Sequence, residues 1–558
     1  MTLLVMIFIS IAPLSAQEPR RDQRDFNLGM SIEILANIMR ELETNFVEPV
    51  SAEELLEAAT IGMINVTDPY SEYISDEAMS DFEVMTTGRY GGVGSLIRKK
   101  GDYVVFSNPY EGSPADIAGI RVGDKIIAIE GQDMTGADIS DVSNRLKGEP
   151  GTDIEVVIER NIDTTRDTLT LTRRRISIPS VPYSGIIRDN VGYIVHDDFI
   201  DGSYVEMRQA LESLMANDSL RGVVLDYRSN GGGVLQEAIN IASLFVPRGE
   251  RIVSIMGRDS SSLAHYTTSN SPIAPNLPVV ILVSGNSASA SEILAGSMQD
   301  LDRGVVMGQR TFGKGLVQGT AYVSYNGYIK YTTAKYYTPS GRCIQSHIYN
   351  VNGAQTSVPD SLITEHRTRG GRPVYGSGGI TPDVSIEPEY VSRFAFTLYA
   401  MGYIEDWVDE YMRSHVAEQI DIRTFSINDS DYDSFCAFIA ERDVPYESET
   451  RRAFEALQQA TKNDLYNEQL SGVLAELEGL ITDDKMSNLQ TYRDEIIDLI
   501  NGDIIKRHAY NRGTAERLAV SDPAVSEAID LILDSERYQQ ILDGQNPEMQ
   551  QYSYPNRR

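Results

Sequence analysis

A serine from the alternating set Ser287, Ser289 and Ser291, and Lys314 downstream of it, are the side chains with which this stretch could do covalent chemistry, and the residues around them make the case. An apolar, β-branched run from Val279 to Val283 predicts a buried strand. It stops at Ser284-Gly285-Asn286, a turn signal. Three alternating serines follow, Ser287, Ser289 and Ser291, and Glu292 opens a helical pattern through Ile293, Leu294 and Met298. A second short strand at 304–307 leads into Thr311-Phe312-Gly313-Lys314-Gly315. A serine at a strand-to-helix elbow stands exposed at the top of a sheet, where the helix N-terminus favours developing negative charge. Serine is a weak nucleophile and needs a base. This stretch has no histidine, but a lysine serves where burial lowers its pKa toward neutrality. Phe312, Leu316 and the flanking glycines predict an apolar, close-packed setting for Lys314. Gln318, four residues on, could orient the amine without adding charge. The competing reading is a serine-rich helix cap and a surface lysine.

Two other motifs overlap this stretch. Residues 308–314, Gly-Gln-Arg-Thr-Phe-Gly-Lys, have the spacing of a phosphate-binding loop. Gly315 stands where magnesium binding needs Ser or Thr, which argues against a nucleotide site. Residues 285–289 resemble a hydrolase elbow but end in Ser289 where that motif has glycine. A Ser-His-Asp triad would need His196 or His265, neither in a recognisable motif, with Asp226 as the acid.

The SASASEI segment, the Gly313-Lys314-Gly315-x-Val317-Gln318 segment and the upstream Asp226-Tyr227-Arg228-Ser229-Asn230-Gly231-Gly232-Gly233 occur in that family order and closely resemble the carboxyl-terminal processing peptidases, or tail-specific proteases. The resemblance implies Ser289 as nucleophile, Lys314 as general base and Gln318 as its assistant. It also implies an oxyanion hole built from the Ala290 amide and an amide of Gly231 or Gly232. The family often has Pro-Gly at those two glycines, so the choice between them stays open. No cofactor and no metal are implied.

The elements that must position these residues read as a multidomain chain of α/β plus α+β class. Residues 1–16 read as a signal peptide: an apolar run from Leu3 to Leu14 ends at Ser15-Ala16, without a preceding Lys or Arg. Residues 17–86 read as an N-terminal helical region, with Ile32, Leu35, Ile38, Met39 and Leu42 at helical spacing and a capping box at Ser51 and Glu54. Thr67-Asp68-Pro69-Tyr70-Ser71-Glu72-Tyr73 reads as a turn. Residues 87–175 are strand-rich, and Gly112-Ser113-Pro114-Ala115 through Ala118-Gly119-Ile120 to Gly123-Asp124 resembles a PDZ domain. Its carboxylate loop would be Tyr90, Gly91, Gly92, Val93 and Gly94, and its groove helix would span 141–147. Residues 176–385 read as a mixed α/β protease core with parallel βαβ units. Tyr336 and Tyr337 could line its peptide cleft or sit in its core. Residues 386–558 are glycine-poor and helical, packed on the core or a partner.

Composition sets outer limits. The chain has 558 residues, enough for several domains, and a net charge of −32, which argues against nucleic acid as a partner. Two cysteines, Cys343 and Cys436, give no disulfide framework beyond one optional bridge. The expected protein is an exported, periplasmic serine endopeptidase, membrane-associated if the first segment is retained. It would capture apolar C-terminal tails of protein or peptide substrates in a PDZ groove. A homodimer through N-terminal or C-terminal helices is the assembly considered. The alternative is a catalytically inactive PDZ scaffold.

Overall fold

A computed structural model describes residues 21–545, apart from 77, 350–354, 389, 416–417 and 482–483. The expected signal peptide lies outside the described residues. No described helix is long and apolar enough to cross a membrane. The chain divides into two compact units, one holding residues up to Ser75 with 320–331 and 349–355, the other holding the rest.

In the first unit, helix Arg21–Asn45 precedes helix Ala52–Ile64, whose entry is the expected capping box: Ser51 N–H donates to Glu54 Oε2 and Glu54 N–H to Ser51 Oγ. The apolar stripe of the first helix is uncovered, with Ile32 and Ile38 both more than half exposed. The region is not wholly helical. Glu72–Ile74 is a strand, paired antiparallel with residues 328–330 of the strand Gly327–Tyr337. A β-branched or aromatic residue takes up a strand when an edge is offered, and local periodicity cannot show that edge.

The second unit contains the core sheet. Its strands run in the order Tyr183–Arg188, Val191–Val195, Gly222–Asp226, Val279–Val283, Val305–Gly308 and Val384–Ser385. The first pair is antiparallel and every later pair is parallel. Helices Ser203–Met215, Leu235–Ala242 and Ala290–Asp300 occur in the crossovers, as parallel strands require. Val279, Ile281 and Val283 face a core shared with Leu211, Ile239 and Leu294. Val280 and Leu282 face a second core with Val525, Ile529 and Ile532. Both faces are covered, so the strand reads as one unbroken apolar run.

The second face is covered by the C-terminal helices Arg493–Ser521, Pro523–Leu533 and Ser535–Leu542. Tyr538 Oη even donates to the Val279 carbonyl, at 3.0 Å, and accepts its N–H. The C-terminal region thus has two roles, because residues 393–504 build a separate helical core around Trp407, Phe435 and Ile500. Cys343 and Cys436 are free thiols.

Residues 95–172 form the PDZ-like sheet, ordered Ser95–Lys100, Tyr103–Pro109, Lys125–Ile129, Asp153–Glu159 and Arg166–Thr172. Ser95–Lys100 is one edge strand, and the groove helix is Ile139–Leu146, starting two residues and ending one residue before the expected 141–147. A cavity beside the two is lined by Val93, Leu96, Ile97, Tyr110, Ile139 and Leu146. The glycine loop is narrower than expected. Tyr90, Gly91 and Gly92 belong to the strand Arg89–Gly92, paired with Arg174–Ser177. Only Val93 and Gly94 remain in the turn before the edge strand, with Gly94 at φ +78°. Tyr90 still lines the groove.

Candidate active site

The strand Val279–Val283 ends at a turn, and Ser289 then opens helix Ala290–Asp300 with φ 56° and ψ −113°. A non-glycine residue held there is strained, and such strain persists only where its surroundings enforce it. The neighbouring serines supply part of that enforcement. Ser284 Oγ donates to the Arg228 carbonyl at 2.6 Å, Ser287 Oγ to the Tyr227 carbonyl at 2.8 Å, and Ser291 Oγ to the Asn230 carbonyl at 2.9 Å. Ser287 and Ser291 are fully buried. Ser289 is half-buried, and among the described residues its hydroxyl donates to no group. The serine repeat is therefore one candidate nucleophile framed by struts that sew the elbow to the glycine loop.

Glu292 is the hub of the site. It is fully buried one turn into the helix. Its Oε2 accepts the N–H of Ser289 at 2.9 Å and the N–H of Lys314 at 2.8 Å. Its Oε1 accepts the N–H of Gly313 at 2.7 Å and the hydroxyl of Thr311 at 2.5 Å. One carboxylate oxygen thus holds the backbones of Ser289 and Lys314 beside each other. Tyr336 repeats the clamp from another direction, its buried hydroxyl facing the carbonyl oxygens of both Ser289, at 3.1 Å, and Lys314. The backbone N–H groups of the glycine-flanked loop are thus spent on this chain's own Glu292. Burial pushes the Glu292 carboxyl up to about 7, against the opposing pull of the hydrogen bonds from Thr311, Lys314, Ser289 and Gly313.

Lys314 is half-buried in that loop, 309–315. Gly313 is at φ +86°, and a Cβ there would lie 2.2 Å from Ser346 Oγ. Phe312 departs from the expected apolar wall: it is exposed and its ring meets His347 at a 5.5 Å centroid distance. Gln318 lies in the strand Leu316–Ser324, and its Nε2 donates to Thr332 Oγ1 at 3.3 Å.

The glycine loop approaches the elbow closely. A Cβ on Gly232, at φ +104°, would sit 2.8 Å from Ser289 Cβ and 2.9 Å from the Ala290 nitrogen. The Gly232 N–H donates to Asn230 Oδ1 at 2.8 Å. Among the described residues the N–H groups of Gly231 and Ala290 donate to no acceptor. Asp226 is no triad acid: it accepts from Arg228 and, at 2.7 Å, from Tyr193 Oη. His196 is buried against Asn230, Phe199 and Tyr227, and burial pushes it down to about 3. His265 pairs with Ser254 Oγ at 2.8 Å. Neither imidazole bonds to Ser289. Among the described residues no cluster of His, Cys, Asp and Glu could hold a metal.

Comparison with known proteins decides the family. Residues 190–353 match the model of peptidase family S41, residues 105–160 a PDZ domain, and residues 394–532 one described as "Probable PDZ-protease, C-terminal helical domain". The chain is 31% identical over 343 residues to the carboxy-terminal-processing protease of Bartonella bacilliformis, covering 61% of this chain and 78% of that one. It is 33% identical over 382 residues to a "Probable CtpA-like serine protease" of Staphylococcus aureus, covering 67% of this chain and 72% of that one. The chain belongs to the carboxy-terminal-processing proteases. Among solved structures, the photosystem II D1 C-terminal processing protease is 28% identical, with a TM-score of 0.35 over 63% of this chain and 87% of that one.

This serine-type peptidase uses residues that its sequence did not single out. Glu292 reads in the sequence only as the opening of a helical pattern, not as a partner of the lysine loop. Asn230 lies within the glycine motif without a readable role, yet its side chain orders the loop. Tyr336 was ambiguous between cleft and core, and it is a strut.

Replacing Gly232 with alanine is expected to lower kcat by about 10²-fold or more, the scale of losing one oxyanion donor, with the fold retained by circular dichroism. Near-normal turnover would show that the close approach is immaterial. The Glu292 proton is held more tightly in the folded state than in the unfolded, where the ordinary value is 4.5. Its stabilising contribution is complete below that value and is lost as pH rises through about 7. Glu292→Gln should therefore flatten the decline in Tm between pH 5 and pH 8 and lower kcat at least about tenfold by loosening both backbones. Parallel Tm curves for wild type and variant would contradict this.

Proposed function

We propose that this protease cuts peptide bonds with a Ser289/Lys314 dyad. The supporting observation is the shared clamp, in which Glu292 Oε2 and Tyr336 Oη each engage the backbones of both residues. Lys314 acts as the neutral amine and takes the Ser289 hydroxyl proton as Oγ attacks the substrate carbonyl. The oxyanion is received by the Ala290 amide at the helix N-terminus and by an amide of the Gly231-Gly232 turn. Of the two, the Gly231 N–H is the one favoured for this role, since the Gly232 N–H is engaged by Asn230. Lys314, now protonated, gives its proton to the leaving amine. Water then hydrolyses the acyl-enzyme by the same proton route in reverse. Gln318, anchored through Nε2 by Thr332, offers its carbonyl oxygen to the ammonium and steadies it between steps.

The substrates are proteins or peptides with apolar C-terminal tails. The edge strand Ser95–Lys100 offers backbone groups for strand addition, and the apolar lining of the groove suits a tail's alternate side chains. The carboxylate is received at Val93-Gly94. The apolar run at residues 3–14 supports export, with the periplasm as the working compartment. The uncovered stripe of helix Arg21–Asn45 supports a homodimer through the N-terminal helices.

With a reporter carrying an apolar tail, Ser289→Ala and Lys314→Ala should each lower kcat by about 10³-fold or more, while a peptide with the same tail still binds. Cleavage by either variant at the wild-type rate would remove the dyad. Ile139→Glu should weaken binding of the tail peptide by about tenfold or more, because a charge replaces an apolar contact in the groove. It should leave cleavage of an untailed peptide unchanged, and equal tail affinity would refute the groove assignment.

A further inference from the structure

Asp522 joins the long helix Arg493–Ser521 to the helix Pro523–Leu533, far along the chain from every motif in the core. Its two oxygens have separate tasks. Oδ1 caps the second helix, accepting the N–H groups of Ala524 at 2.8 Å and Val525 at 3.2 Å. Oδ2 accepts from the Arg228 guanidinium at 2.7 Å. A cap alone uses one oxygen, so the second bond is an additional commitment.

Arg228 stands at the root of the glycine loop. Its guanidinium is chelated by Asp226, with contacts at 2.6 and 3.0 Å, and its N–H also donates to Asp226 Oδ1. Its carbonyl accepts from Ser284 in the elbow turn. The next turn runs from the Tyr227 carbonyl to the Asn230 N–H, at 3.0 Å, and Asn230 in turn fixes Gly232 and Ser291. Asp226 closes the core strand Gly222–Asp226 and also accepts from Tyr193 Oη at 2.7 Å, so the sheet already anchors this pair. Asp522 adds a further anchor to Arg228, from the C-terminal helices.

We propose that Asp522 is a positioning residue for the oxyanion loop, so that the C-terminal helices take part in setting the catalytic geometry. The inference rests on the dyad reading and on the loop's role as an oxyanion donor. The charge of Asp522 acts through Arg228 and touches no reacting atom. The segment Arg493–Ser521 is kinked at Ala509 and Tyr510, and there Tyr510, at φ 57° and ψ −164°, donates to Asp116 Oδ1 at 2.5 Å in the short helix Pro114–Ile117 of the PDZ-like domain. The helical stretch that follows this kink ends at the loop brace.

The two tasks of Asp522 can be separated. Asp522→Asn keeps a capping oxygen but loses the anionic acceptor, and Asp522→Glu keeps the charge but disturbs the cap. Wild type, both variants and Ser289→Ala are assayed at full length on a quenched fluorescent peptide, with Tm measured for each. The expected result is a kcat about tenfold or more lower in Asp522→Asn, KM within about twofold, and substantial recovery of kcat in Asp522→Glu. Asp522→Ser, which retains a capping hydroxyl, is the second variant if Asn lowers Tm below the assay temperature. Wild-type kcat in Asp522→Asn or Asp522→Ser overturns the inference, as does a loss confined to Asp522→Glu, which would make Asp522 only a cap. If Ser289→Ala cleaves as wild type does, the dyad reading has failed instead.

Discussion

A single buried carboxylate holds the catalytic region together. Glu292 receives three backbone N–H groups and one hydroxyl from two segments that meet only in the folded chain. Desolvation makes its charge costly, and the four hydrogen bonds offset that cost only while both segments stay in place. The strained backbone of Ser289 and the glycine-flanked turn at Lys314 are each unfavourable on their own. They are stable together because each supplies donors that the carboxylate would otherwise lack.

The core sheet is the platform on which that arrangement rests. Its parallel strands end at the turns that carry Asp226 to Gly233, Ser284 to Ser289 and the lysine loop, so three distant parts of the sequence reach one end of one sheet. This is where ligand sites form in open α/β sheets, since strand ends and helix starts offer unpaired backbone groups. A second buried network supports the sheet from beneath. Arg342 pairs with Asp300 at 2.8 Å and Arg372 with Asp383 at 2.6 Å, all inaccessible to solvent. The Pro339 to Arg342 and Pro382-Asp383 segments thus contribute to architecture, with Asp383 also accepting the Val306 N–H of a core strand.

The C-terminal helices change how the domains are understood. Composition shifts near residue 386, and a separate helical core does form there. Yet the last helices return to cover the second face of the protease sheet. The strand Val279–Val283 shows why this could be anticipated in kind but not in detail. Five consecutive apolar residues require cover on both faces, and nothing local says which segment provides the second layer. The Glu72–Ile74 strand was missed for the same reason, since its partner lies more than 250 residues away, and the narrower glycine turn at Val93-Gly94 depends on a partner strand at 174–177.

The sequence by itself determined the chemistry available and its order along the chain. A serine at an elbow, a lysine between glycines and a glycine loop after an aspartate strand are local patterns, set by φ/ψ preference, helix entry and β-branching. These suffice to identify the family and the class of fold. Tertiary structure alone decided which serines spend their hydroxyls on the glycine loop, that Glu292 and Tyr336 join the backbones of Ser289 and Lys314, and that Asp522 reaches Arg228. Hydrogen-bond partners and burial are properties of pairs brought together by the fold, and a chain read in order shows only one member at a time.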